Sequence, residues 1–463
     1  MKKENLKTII LTLLIFSSVI LSIQIWLLSP VWSDSQNPSA FFKDIFLKED
    51  GLTINDTGAL GSVFSPRSFV LTFNDGRIIL NTTDKDGKDV RSAFNDAIKS
   101  ALSSGSFSEV AESDWQSMLR SNSIYADYSV PVSLKAFSSF LGSNLNSELT
   151  LTSFNQAVIT VDSISPVSYI CFRNSKENKQ LRVQLQNTDA LYELFNENAK
   201  KTKESYSYAF EMNLDKKVTD TSVQQTVLMD SYVLLPVEPV KMNSIQAEAV
   251  EFNDEIIEKI LSLFGYNPKT AWKYSETNGN LLFLDSNSTL KLHPATGYIE
   301  YKANQGEGIT LQGGNQLSSV ATSCGKLLDD IFTLFDIDSN VTLFINSPLD
   351  NDTGENLVIT FDYLFGGNRI QTENHSCEIH ITNGVITEFY ATVKNYHFVS
   401  ERGEENSLDV LEKLYLSMNQ ETLIIDELYT GYTESSGEMP LMWQAKVSGG
   451  DDIIIPEKLV LPQ

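Results

Sequence analysis

Apolar residues gather in one unbroken run, Ile9–Leu28 (IILTLLIFSSVILSIQIWLL), and elsewhere fall into short alternating stretches and helical stripes. The run is twenty residues long and carries no charge. At about 1.5 Å per residue, a helix of that length reaches roughly 30 Å, the thickness of a bilayer's hydrocarbon core. Lys2, Lys3 and Lys7 precede it, and the next basic residue is Lys43. That asymmetry places the N-terminus in the cytoplasm and the bulk of the chain outside. Trp26 and Trp32 fall where interfacial aromatics sit. A cleavable signal peptide would have an apolar region of only about 7–15 residues, ending in small residues. Here Ser29-Pro30-Val31-Trp32-Ser33-Asp34 follows, and Pro38-Ser39-Ala40 is a poor cleavage site. The pattern predicts an uncleaved signal anchor.

Beyond a polar tether at 29–40, apolar positions alternate over Phe69–Phe73 and Arg77–Leu80, with Asn74-Asp75-Gly76 between them. Asp-Gly supplies the positive φ of a tight hairpin turn. Val90, Phe94, Ala97, Ile98, Ala101 and Leu102 share one face of a helix over Asp89–Leu102. Ser106 and Glu109 form a capping-box pattern ahead of a second helix through Trp115 and Leu119. Strands are expected at Ala157–Val161, Val167–Phe172 and Leu181–Leu185, then a helix over Asp189–Asn198. A polar, weakly patterned segment covers 199–225, and Tyr232–Pro236 closes this body.

An internal repeat follows. The amphipathic stretch Ile256–Asn267 precedes its look-alike Leu327–Asp338 by 71 positions. Three β-like runs follow each. They are Asn280–Leu284, Thr289–His293 and Tyr298–Ala303 in the first copy, and Leu357–Phe365, Cys377–Thr382 and Val385–Val393 in the second. Asn383-Gly384 is a strong two-residue turn signal. A third helix, Leu408–Met418, precedes strands at Leu423–Tyr429 and Leu441–Val447. The expected fold is α+β: one N-terminal transmembrane helix, then an extracytoplasmic body of antiparallel sheets, each covered by helices. Its parts are a cytoplasmic stub 1–8, the helix 9–28, the tether 29–40, and domains at 41–239, 240–313 and 314–463.

Composition narrows the chemistry. The 463 residues carry a formal net charge of −25, which argues against nucleic acid and against adsorption to anionic surfaces. Cys171, Cys324 and Cys377 are too few and too odd in number for a disulfide framework, though they leave room for one disulfide, and the settings of Cys171 and Cys324 suggest buried thiols. The sequence contains no G-x-S-x-G, HExxH, CxxC or Walker loop. Asp336-Ile-Asp338-Ser-Asn340 opens like a calcium loop, but Val341 replaces the turn glycine and Ser347 the closing glutamate. In His375-Ser-Cys377-Glu-Ile-His380, strand alternation puts His380 on the face opposite His375 and Cys377, which opposes a metal site. No catalytic residue, cofactor or metal is expected.

The layout as a whole resembles the YycH family, membrane-anchored accessory proteins of the essential cell-wall histidine kinase of low-GC Gram-positive bacteria. The likeness rests on the start Met1-Lys-Lys-Glu-Asn-Leu-Lys-Thr-Ile-Ile-Leu-Thr-Leu-Leu, on Asp114-Trp115 followed by Ser123-Ile-Tyr125, on Tyr232-Val-Leu-Leu-Pro236, and on the paired C-terminal α+β units. The resemblance implies a non-enzymatic regulator of a sensor histidine kinase, acting with a YycI-like companion at the cell membrane and adjusting wall metabolism. An extracytoplasmic binding protein for a wall fragment or lipid is the alternative reading, and a surface hydrolase of unfamiliar type a third.

The apolar run itself holds candidate contact residues. Ser17, Ser18, Ser22 and Gln24 lie within an arc of roughly 160° at about 100° per residue. Ser18-x-x-x-Ser22 is a small-xxx-small spacing, which lets two helix backbones approach, and a glutamine amide in hydrocarbon seeks an interhelical hydrogen bond. Serines bonded to their own helix, with Gln24 reaching the headgroups, would instead make a plain anchor. The family resemblance favours contact with the kinase's membrane helices and the companion.

Overall fold

The structure is a computed structural model that describes residues 63–455, apart from 83, 105–106, 147–148, 162–167, 186–187, 217–225, 305–306, 312–313, 351–352, 418–421, 436 and 449–451. Ile9–Leu28 and its four contact residues lie outside the described residues. No helix among the described residues is long and apolar enough to cross a membrane.

The first sheet has seven strands: β1 (Ser68–Phe73), β2 (Gly76–Asn81), β3 (Phe107–Glu109), β4 (Ser123–Ser133), β5 (Ser153–Thr160), β6 (Ser168–Asn174) and β7 (Lys179–Leu185). Their spatial order is 2-1-4-5-6-7-3, antiparallel throughout. Four helices accompany them: α1 (Lys85–Ser104), α2 (Glu112–Arg120), α3 (Leu134–Phe140) and α4 (Asp189–Asn198). All six stripe residues of α1 are buried, and Phe94 meets Phe69 edge-on at 5.3 Å. Because successive strand residues point to opposite faces, Phe69 and Leu71 face the main core while Val70 joins a second cluster with Trp115, Tyr125 and Cys171. The sheet is therefore covered on both faces, which explains why its strands read as near-continuous apolar runs.

Two local expectations change. The β1–β2 turn is Asn74-Asp75, and Gly76 opens β2 opposite Phe73 at φ +149°. The capping-box residue Glu109 lies in β3, hydrogen-bonded to β7, and α2 starts after Ala111 with no side-chain cap. Edge pairing outcompetes the local cap there.

A strap crosses the far face of this sheet. It contains β8 (Tyr206–Tyr208), β9 (Thr226–Met229) and β10 (Leu234–Pro236), with β8 and β10 paired. The remaining chain contributes fifteen strands to a sixteen-stranded sheet, and β9 is the sixteenth. Its first part is β11 (Val240–Ala249), α5 (Asp254–Leu263), β12 (Trp272–Ser275), β13 (Leu281–Leu284), β14 (Ser288–His293), β15 (Tyr298–Ala303) and β16 (Ile309–Thr310). The second part is α6 (Leu317–Phe332), β17 (Val341–Ile345), β18 (Asn356–Phe365), β19 (Asn368–Gln371), β20 (Cys377–Thr382) and β21 (Val385–Thr392). The last is β22 (Lys394–Glu405), α7 (Ser407–Ser417), β23 (Thr422–Thr433), β24 (Glu438–Val447) and β25 (Ile453–Ile454).

The repeated order is visible in this topology. A helix and a four-stranded meander, α5 with β12 to β15, recurs as α6 with β17, β18, β20 and β21. The last strands of the two meanders pair antiparallel, from Tyr298↔Thr392 to Lys302↔Glu388, so hydrogen bonds run across the boundary expected at 313. Each meander gains a strand, β12 or β17, beyond the three runs expected. Helix α6 begins at Leu317 rather than Leu327, because Leu317, Val320, Ala321 and Cys324 extend the same buried stripe. Leu263 and Leu334 are half-buried against the core, beside the fully covered Phe264 and Phe335. Asn383 and Gly384 have φ of 53° and 75° between paired Thr382 and Val385, the two-residue turn read from the sequence. Pairing is not antiparallel everywhere: β23 runs parallel to both β9 and β19.

Candidate interaction surface

The two faces of the paired meanders differ in kind. One row, Phe283, Leu290, Tyr301, Phe389 and Ile379, crosses the sheet on the inner side and is buried. Helices α5 and α6 seal it, with the Phe264 ring 5.2 Å from Tyr301 and 5.1 Å from Phe389. Each such side chain contributes roughly 1.5–3 kcal/mol by leaving water. The opposite side stays open to solvent.

Two rows define that open face. Trp272, Leu284, Thr289, Lys302, Glu388 and His380 lie side by side across six strands. Tyr274, Leu282, Lys291, Glu300, Tyr390 and Glu378 form the next row. The charges are paired within the face. Lys302 Nζ is 2.6 Å from Glu300 and stands 5.4 Å over the Tyr390 ring, and Lys291 is 3.0 Å from Glu276. The Glu300 contact raises the Lys302 pKa, and Lys291 holds Glu276 below the usual carboxylate range. Tyr390 donates to Glu388, and His380 pairs with Glu378. Burial, then Lys291, lowers the His293 pKa. Apolar and aromatic side chains thus alternate with paired charges across this face.

The sequence signals for metal chemistry resolve differently. Cys377 is buried on the inner side, His380 points outward, and His375 precedes the strand with Nδ1 3.2 Å from Asp362. Asp338 accepts from Asn340 N at 2.8 Å, closing its own turn. Among the described residues no group of three or more His, Cys, Asp or Glu is placed to hold a metal ion.

The far face of the first sheet is sealed instead of open. Arg77 fastens the strap, donating to Tyr206 O at 2.6 Å and Glu211 at 2.7 Å, with Tyr208's ring 4.7 Å away. Beneath it, Glu112 accepts from Gln180 at 2.6 Å and from the Tyr232 hydroxyl, whose ring carries Arg173 at 4.2 Å. These groups tie α2 and the strap to the sheet.

Residues 4–204 match the family model described as YycH protein, N-terminal domain. The match places residues 4–204 in the YycH N-terminal domain family. The matched span ends at Glu204, whose backbone pairs with Arg77, so it takes in the whole first sheet. A crystal structure of YycH from Bacillus subtilis is similar over 88% of this chain and 98% of that chain, with a TM-score of 0.57 and 13% identity. At that identity the likeness shows a shared fold, and coverage of 88% carries it beyond the first sheet. No curated protein matches the chain.

Strand β12 escaped the sequence reading. Trp272-Lys-Tyr-Ser has the period-two signal of a strand, but it is four residues long and its aromatics face outward. The membrane-helix candidates Ser17, Ser18, Ser22 and Gln24 lie outside the described residues, so the open face is the surface that the structure itself supplies.

Proposed function

We propose that this protein is a non-enzymatic, membrane-anchored accessory regulator of a sensor histidine kinase controlling cell-wall metabolism. It crosses the membrane once through Ile9–Leu28, keeps its N-terminus in the cytoplasm, and acts through transmembrane and extracytoplasmic contacts with the kinase and a YycI-like companion. The observation that carries this reading is the YycH N-terminal domain match over residues 4–204, which includes the apolar run. The open, ion-paired sheet face supports work through protein contacts.

The test is made in the native cell. Deleting the gene should change the phosphorylated fraction of the kinase's response regulator several-fold, and the full-length chain should restore it. An unchanged fraction, under wall stress as well as in ordinary growth, would overturn the proposal.

A further inference from the structure

The open sheet face ends at β12, and this edge is unlike the opposite one. All four residues, Trp272, Lys273, Tyr274 and Ser275, are exposed, Trp272 at 70% and Tyr274 at 48%. Among the described residues β12 pairs with β13 alone, and none of its side chains makes a hydrogen bond, ion pair or ring contact. Hydrogen bonding alternates along an antiparallel strand, so half of the β12 backbone groups turn away from β13 toward solvent. Natural sheets normally guard such an edge with charges and bulges. The other edge, β22, shows Phe398 but carries Glu401, Arg402 and Glu404, and its ladder with β11 has two register shifts. On β12 the guard is one lysine between two exposed aromatics.

Charge indicates what fits. The chain has a net charge of −25, yet Asn267–Ser275 holds Lys269 and Lys273 and no acid. Neither lysine has an ion-pair partner among the described residues. We propose that the β12 edge accepts an extended segment of a partner protein, added as a further strand, with an acidic residue opposite Lys273 between apolar residues that cover Trp272 and Tyr274. Main-chain hydrogen bonds supply affinity in this mode, and alternate side chains supply specificity. A second copy of the chain fits less well, because two-fold antiparallel pairing centred on Lys273 sets Lys273 against itself. The proposal deepens the regulatory reading by naming one surface and its partner's chemistry. Peptide binding and kinase output are measured separately, so either can fail alone.

The probes are two labelled peptides with β-branched residues at alternate positions, one with glutamate and one with lysine between them, offered to the full-length protein in nanodiscs. Fluorescence polarisation should show at least about tenfold tighter binding of the glutamate peptide, and hydrogen exchange should slow over Trp272–Ser275. Lys273→Glu should reverse the preference. Lys273→Pro should abolish binding, because proline removes a backbone donor from the edge strand. A Lys273→Glu variant that keeps its fold, judged by unchanged thermal unfolding, separates loss of the edge from loss of structure. Equal binding of both peptides, unchanged exchange at β12, or self-association that Lys273→Pro abolishes would overturn the proposal.

Discussion

Arg67, at the entrance to the first sheet, reaches across to Glu427 of the second at 3.6 Å. The same guanidinium holds Asp127 at 2.7 Å, and Arg369 meets the same Glu427 oxygen, Oε2, at 2.9 Å. Two arginines and two acids thus fasten the sheets to each other, beside the backbone bonds from Ser133 N to Leu349 O and from Leu349 N to Pro131 O. Burial opposes the charge of Glu427, but Arg369 and Arg67 outweigh it and lower its pKa. Burial dominates at Asp127 and raises its pKa despite Arg67.

The two acids respond to pH with opposite signs. A lowered pKa at Glu427 contributes stability that is present above its unfolded value and is lost as pH falls through the folded value. A raised pKa at Asp127 contributes stability that is present at low pH and is lost as pH rises through its folded value. Glu427→Gln should therefore destabilise at pH 7, by about 1–3 kcal/mol. The low end is expected, because the Arg67 and Glu427 side chains remain 24% and 30% exposed. The variant should also lose less stability than wild type between about pH 5 and 3. Urea unfolding across pH checks both.

The meander turn gives a sharper substitution. Gly384 sits at φ 75°, and a Cβ there would lie 2.9 Å from Asn315 Oδ1 and 3.0 Å from Gly314 O. Gly384→Val meets backbone strain and a steric clash together, so a loss of about 1–3 kcal/mol is expected. Gly384→Asn should lose less, since asparagine tolerates positive φ. Chemical denaturation distinguishes them.

The three thiols should be inert in the folded protein. Cys171, Cys324 and Cys377 are at most 1% exposed, and burial pushes the Cys171 and Cys324 thiols up to about 12. Without thiolate there is no nucleophile. An aromatic disulfide reagent at pH 8 should label none within an hour and all three in guanidinium; rapid labelling of the native state would contradict their placement.

Arg77→Ala should free the strap while leaving the first sheet folded. Two of the three guanidinium hydrogen bonds and the ring contact of Arg77 end on the strap, at Tyr206, Glu211 and Tyr208, and the third ends at Thr72 in β1. Limited proteolysis should accelerate several-fold at 209–216, with little change in the far-ultraviolet circular dichroism.

Much of this architecture is legible in the chain because the relevant signals are local. The α1 stripe, the Asp189–Asn198 helix and the Asn383-Gly384 turn all follow from period and turn chemistry within a few residues. The repeat is legible because two amphipathic helices precede similar alternating runs. Pairings between distant segments are not. Glu109 reads as a cap because β7, its actual partner, lies some seventy positions away. The parallel seats of β9 and β19 against β23 are equally invisible, since a strand's own pattern does not name its neighbour. The open face escaped notice because its residues alternate with core residues, and which half faces water is settled only when α5 and α6 choose a side.

The apolar run Ile9–Leu28 carries its own expectation. We propose that the mature protein keeps Met1–Leu28, so mass spectrometry should find no N-terminus between 29 and 45. Replacing Ser18, Ser22 and Gln24 with leucine would fill the small-residue seam while preserving insertion. Partner capture in membranes should then weaken. A triple variant that binds and signals normally would make the helix an anchor alone.

Regulation by direct contact is tested most directly by co-reconstitution. The full-length chain, the kinase and the companion are placed in proteoliposomes, and kinase autophosphorylation is timed with and without the chain. Direct contact predicts a several-fold change in rate, in either direction, together with co-purification of the chain after detergent extraction. An unchanged rate with no association, from components shown to be folded and oriented, would contradict it.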